Sequence, residues 1–138
     1  MDRSEEPMRI YIADDNPGFA TFCKRVAVNE GWTVSVSENG RELLTALKEE
    51  KGPALLLVDI QMPELDGIEV INKLVSHAGH FRVRFITGGP PSTAIAAHKI
   101  AEINDLSVGT FLVKPITIQD LTAMLQEETE KLRGLRAA

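Results

Sequence analysis

Short apolar runs alternate along the chain with longer stretches in which apolar residues recur every third or fourth position. Positions 8–13 predict a strand that runs into Asp14-Asp15. Asn16 is placed to cap the next helix, and Pro17 stands at its first position, where a missing N–H costs nothing. Phe19, Phe22, Cys23 and Val26 follow at the spacing of one helix face, and Gly31 ends that helix. Positions 32–37 form a weaker strand pattern. Glu38-Asn39-Gly40 is a turn before a helix carrying Leu43, Leu44 and Leu47.

The run at 54–58 is continuous rather than alternating, as expected of a central parallel strand covered on both faces, and it leads into Asp59. A loop with Pro63 and Gly67 precedes a helix predicted to bury Ile68, Ile71, Leu74 and Val75. Positions 82–86 are a fourth strand ending at Thr87. Gly88-Gly89-Pro90-Pro91 then breaks the chain, and positions 92 to about 105 are helical in pattern through Ile95, Ala96, Ile100 and Ile103. Positions 109–113 predict a fifth strand, stopped by Lys114-Pro115. Thr117 caps a last helix with Asp120 at its third position, and Leu121, Met124, Leu125 and Leu132 are expected to face the sheet. Repeated strand-then-helix units imply a parallel sheet with helices on both faces and right-handed crossovers.

Composition narrows the function classes. The chain has 138 residues, of which 43% are hydrophobic and 25% charged, as in one soluble domain able to build its own core. Its net charge of -5 and the lack of any basic run argue against direct nucleic-acid binding. A lone cysteine, Cys23, excludes an intramolecular disulfide and suits a reducing compartment. The longest apolar run, Ala54-Leu55-Leu56-Leu57-Val58, is far short of the roughly 20 residues that span a bilayer. No membrane insertion and a cytoplasmic location are expected. The predicted organisation is a tail at 1–7, a domain at 8–132 and a second tail at 133–138.

In open parallel sheets the ligand site lies beyond the carboxyl ends of the strands. Asp14, Asp15, Asp59, Thr87 and Lys114 all stand at such ends. Carboxylates crowded there need a cation, and their oxygens suit Mg²⁺. Lys114 can contact a phosphoryl oxygen as a point charge, and the Thr87 hydroxyl can turn toward the same group. Phosphoryl transfer onto a carboxylate is the chemistry implied. Acidic Asp14-Asp15-Asn16 is the opposite of a flavin phosphate loop, which argues against a flavin protein on the same fold.

Four segments carry a family resemblance: Ile12-Ala13-Asp14-Asp15-Asn16, Val58-Asp59-Ile60-Gln61-Met62-Pro63-Glu64-Leu65-Asp66-Gly67, Phe85-Ile86-Thr87-Gly88 and Phe111-Leu112-Val113-Lys114-Pro115. In this order they resemble the receiver domain of two-component response regulators, over about residues 8 to 132. The resemblance implies a flavodoxin-like, three-layer doubly wound (βα)5 fold with a five-stranded parallel sheet ordered 2-1-3-4-5. It implies that Asp59 is the phosphoacceptor. Asp15 and Asp59 then bind Mg²⁺ directly, Asp14 acts mainly through water, and the backbone carbonyl of Gln61 completes the set. Lys114 pairs with the phosphate and its bond to Pro115 is cis, Thr87 is the switch hydroxyl and Phe111 the aromatic that swings inward. The implied donor is a phosphohistidine on a sensor kinase or phosphotransfer protein. The domain is then a signalling switch rather than a conventional enzyme, with slow hydrolysis of its own aspartyl phosphate; Gln61 and Gly89 flank the site and are candidates to tune that rate.

Departures from the family pattern fall on its output side. The interval from Thr87 to Lys114 is a few residues long, and Ser107-Val108 replaces the usual Gly-Ala pair. A stand-alone receiver acting by protein contacts is expected. The alternatives are a portion of a longer regulator, or a docking module that works unphosphorylated. A phosphorylation-dependent homodimer is a further expectation. Cys23 reads as core, and His77, His80 and His98 as surface residues without metal-ligand spacing. Lys48, Glu49, Glu50 and Lys51 read as a solvated helix end. Asp66 and Gly67 read as turn formers.

Overall fold

Burial decides the centre of the architecture. Every residue of the continuous apolar run is buried, and in the computed structural model it becomes the middle strand of a parallel sheet. The structure describes residues 6–50, 52–62, 67–74 and 81–137. In chain order the elements are β1 (Arg9–Ala13), α1 (Pro17–Asn29), β2 (Thr33–Ser37), α2 (Gly40–Leu47), β3 (Ala54–Asp59) and α3 (Gly67–Leu74). They continue with β4 (Phe81–Thr87), α4 (Pro91–Ile103), β5 (Ser107–Val108), β6 (Leu112–Val113) and α5 (Ile118–Ala137). The strand order is β2-β1-β3-β4-β5, with β6 also paired to β4, and all pairings are parallel. The doubly wound α/β fold expected from the alternating pattern is therefore present.

Alternate residues of the strands feed two cores. Leu56, Val58, Val83 and Phe85 pack with Leu43, Val70, Ala94, Ala97 and Ala101, which come from α2, α3 and α4. Ile10, Ile12, Leu55, Leu57 and Ile86 pack with Cys23, Val26, Leu121, Met124 and Leu125 from α1 and α5. Helix starts follow their capping residues. Asn16 Oδ1 accepts from Phe19 N at 3.1 Å, Asn39 Oδ1 from Glu42 N at 2.9 Å, and Thr117 Oγ1 from Asp120 N at 3.0 Å.

Four features differ from the pattern-based expectation. The fifth strand is not continuous over 109–113: it pairs with β4 at Ser107–Val108, stops, and pairs again at Leu112–Val113. The Arg84 side chain fills the gap. A Cβ on Gly109 would run into the Arg84 side chain, so a larger residue there has to displace it, and Arg84 Nη1 donates to the Thr110 carbonyl at 3.0 Å. Secondly, α4 turns three alanines inward and leaves Ala96 exposed, with Ile100 partly buried against the same core. Ala94, Ala97 and Ala101 are buried while Ile95 and Ile103 are exposed, because a thin stripe lets the helix sit close on the sheet.

Thirdly, Glu50 is not solvated. Its side chain is only 1% exposed and accepts from Arg9 Nη1 and the Tyr11 hydroxyl, both at 3.0 Å. Burial and this partner push the Tyr11 phenol up to about 12. Finally, α5 passes the end predicted near Leu132 and reaches Ala137, where Arg136 donates to the carbonyls of Glu6 and Pro7. Lys51, Pro63, Asp66, Val75, His77 and His80 lie outside the described residues, as do the side chains of Ile68, Ile71 and Leu74.

Candidate functional site

Asp14 follows β1 directly, and its backbone N–H extends the ladder to the Ser37 carbonyl at 3.1 Å. Its carboxylate is buried, with Oδ1 accepting from Asn16 N at 2.8 Å. Oδ2 is sealed from solvent and lacks an aligned hydrogen-bond donor, although the Lys114 ammonium pairs with it electrostatically at 2.9 Å. Asp59 is the last residue of β3. Its Oδ1 accepts from Gln61 N at 2.9 Å, and its Oδ2 lies 3.3 Å from Lys114 Nζ. Asp15 is exposed beside them, and one oxygen from each of the three carboxylates falls within 4.8 Å of the others.

Lys114 arrives from the far edge of the sheet. Its backbone N–H donates to the Thr87 carbonyl at 2.8 Å, and the Lys114-Pro115 peptide is cis, as the resemblance implies. Burial alone would lower the ammonium's affinity for its proton, but Asp14 and Asp59 outweigh that and raise it. Asp59 is pushed up from the usual carboxylate range by burial first and the Asp14 charge second, against the Gln61 N–H and Lys114.

Thr87 is fully buried at the end of β4, one position past the partner of Asp59 in the β3–β4 register. Its hydroxyl oxygen accepts from Gly89 N at 3.0 Å and keeps its own proton to donate. Gly89 backs onto the Gln61 amide, and a Cβ there would lie 3.0 Å from Gln61 Nε2. Phe111 is half-buried in the interrupted stretch between β5 and β6, packed on the α4 side of the core. Asp14, Asp15, Asp59 and Lys114 thus meet at one end of the sheet, as their positions at strand ends predict.

The donor set fits a hard divalent cation: clustered carboxylate oxygens, one of them buried without an aligned donor, and no soft ligand among them. Cys23, on the neighbouring face of α1, is 1% exposed, and burial pushes its thiol up to about 12, so it is a core residue without nucleophilic character.

Residues 10–126 match the family model of the response regulator receiver domain. The chain belongs to that family. Similar solved structures include a CheY-like receiver domain from Methanospirillum hungatei, 21% identical with a TM-score of 0.78, covering 93% of this chain and 98% of that one. The receiver domain of AraT from Geobacillus stearothermophilus is 25% identical with a TM-score of 0.77, over 94% and 98% of the two chains. Among curated proteins, a 14.6 kDa protein of Leptolyngbya boryana is 31% identical over 87% of this chain and 88% of its own. The transcriptional regulatory protein TrcR of Mycobacterium tuberculosis is 26% identical over 87% of this receiver. The match spans only 44% of TrcR, and only 49% of the response regulator MprA of Mycolicibacterium vanbaalenii, so this receiver covers about half the length of such relatives. Receiver domains are signalling switches that work with sensor kinases and output domains, and the family binds Mg²⁺ at an acidic site such as the one formed here. Among the described residues no helix is long and apolar enough to cross a membrane.

Three side-chain groupings escape sequence reasoning. Glu128 of α5 bridges Arg82 and Arg84 of β4, Glu50 receives Arg9 and Tyr11, and Phe19 of α1 lies under the Lys114 ammonium. Glu128 left a readable signal, because it continues the inward stripe of Leu121, Leu125 and Leu132.

Proposed function

We propose that this receiver accepts a phosphoryl group on Asp59 from a phosphohistidine of a sensor kinase or phosphotransfer protein, in a Mg²⁺-dependent reaction. The observation that carries the proposal is the convergence of Asp14, Asp15, Asp59 and Lys114 at the carboxyl ends of the strands. An Asp59 carboxylate oxygen attacks phosphorus, the P–N bond breaks, and the imidazole keeps the electron pair and takes up a proton. Lys114 sits where it can meet the developing charge on the phosphoryl oxygens. Asp14, Asp15, Asp59 and the Gln61 carbonyl are the proposed holders of Mg²⁺, which when bound neutralises charge on the transferring group.

Incubation with acetyl phosphate and Mg²⁺ should add one phosphoryl mass to the wild-type protein and none to Asp59→Asn. An equal gain in that variant defeats the proposal. Metal binding has its own readout. Mg²⁺ at about a hundred times its dissociation constant should stabilise the fold by about 2.7 kcal/mol. Thermal unfolding should show the rise in wild type and a much smaller one in Asp15→Asn, whose carboxylate is exposed and carries little of the fold.

Signalling is assigned to Thr87 and Phe111. The Thr87 hydroxyl has a proton to give to an aspartyl phosphate, and Phe111 is half-buried on the same side of the sheet as α4, where a further inward turn would bury it. Their movement would alter the face made by α4, β5, β6 and α5, read by a protein target and by a second copy in a phosphorylation-dependent dimer. The half-length match to TrcR favours a second arrangement, in which the same switch serves an attached output domain. Cytoplasmic action follows from the proposed kinase partner and suits the lone buried thiol.

A further inference from the structure

Lys114 has a neighbour that is neither carboxylate nor water. Its Nζ lies 4.4 Å from the centroid of the Phe19 ring, within the range of a cation–π contact. The position of that ring is set from the backbone outward. Pro17 opens α1, and the Asn16 side chain takes the Phe19 N–H at 3.1 Å, which pins Phe19 in the first turn. Phe22 lies against the ring with centroids 6.1 Å apart and planes at 41°, and both rings pack on the α1–α5 core.

A lysine is a strongly hydrated charge on a flexible four-carbon stem. Here its other contacts are Asp14 Oδ2 and Asp59 Oδ2, on two of the carboxylates that cluster for a cation. Once they are claimed, ammonium and metal repel each other, and the stem is free to carry the charge into solvent. The ring face attracts an ammonium but offers no lone pair to a hard metal ion. It therefore retains the lysine without competing for the metal.

We infer that Phe19 is a positioning residue, which holds Lys114 beside Asp59 when the carboxylates are engaged by metal and phosphoryl donor. This rests on the phosphoacceptor role proposed above. Pentafluorophenylalanine at position 19 preserves shape and packing but inverts the ring quadrupole, and Phe19→Tyr preserves the quadrupole. With acetyl phosphate and saturating Mg²⁺, phosphorylation should slow about three- to ten-fold with the fluorinated ring and in Phe19→Leu, and stay within about two-fold of wild type in Phe19→Tyr. In isotope-labelled lysine spectra, the Lys114 ε-methylene protons should be shifted upfield by the ring in wild type and Phe19→Tyr, and lose that shift in Phe19→Leu. Wild-type rates with the fluorinated ring, or an unshifted Lys114 in wild type, overturn the positioning role alone. A wild-type protein that gains no phosphoryl group overturns the acceptor proposal and this one together. A Phe19→Leu variant that fails to fold leaves the fluorinated and tyrosine variants to decide.

Discussion

Replacing Glu128 with Ala should lower the unfolding free energy by about 3–5 kcal/mol, the usual cost of removing one partner from a buried ion cluster. Glu128 is wholly buried and receives Arg82 Nε and Nη2 at 2.8 and 2.9 Å and Arg84 Nε at 2.7 Å. Arg84 is itself 5% exposed. Without Glu128 its nearest carboxylate is Glu127, at 3.2 Å and largely in solvent. Urea titration should show the midpoint fall with an unchanged slope. A change of less than about 1 kcal/mol would assign the cluster to the weak class of surface pairs.

The cluster also sets an acid limit. Burial would raise the Glu128 carboxyl, but hydrogen bonds and charge from Arg82 and Arg84 outweigh it and hold the group below its ordinary 4.5. A carboxyl depressed in the folded state contributes its full stability above the unfolded value and loses it as pH falls through the folded one. Wild type should therefore lose stability below about pH 4.5 more steeply than Glu128→Gln. Replacing Arg82, Arg84 and Glu128 together with apolar residues of similar volume should come close to neutral.

Lys114→Met should separate metal binding from phosphoryl transfer. The ammonium occupies carboxylate oxygens at 2.9 and 3.3 Å, so a cation entering the cluster meets its repulsion. Methionine removes that repulsion, and Mg²⁺ should bind more tightly. Phosphorylation at saturating metal should nevertheless slow by about a hundred- to a thousand-fold, the typical loss when one preorganised charge is taken from a transition state. Calorimetric titration and a single-turnover mass assay measure the two effects on one protein. Tighter metal binding together with an unchanged rate would make Lys114 a counterion for the carboxylates and nothing more.

Strand ends made much of this molecule legible from its sequence. A continuous apolar run ending in Asp59, and polar residues after three other strands, marked the end of the sheet where Asp14, Asp15, Asp59 and Lys114 meet. The caps at Asn16, Asn39 and Thr117 were equally local, and local hydrogen bonds decide them. What stayed hidden were partnerships between distant residues. Arg82 and Arg84 are 46 and 44 positions from Glu128, and nothing near either end marks the other. The break in the fifth strand was invisible for the same reason, since its cause is a side chain from β4. Apolar spacing also misjudged α4, where close approach selected alanine over the larger Ile95 and Ile103.

The fit of Gly109 to Arg84 bears on how receivers can be recombined. The segment after α4 from another receiver brings its own residue at position 109, and a side chain there has to displace Arg84. β4 and the segment after α4 must therefore travel as one cassette, together with the Glu128 turn of α5. A chimaera joined between them should lose stability unless position 109 stays glycine or position 84 is shortened at the same time.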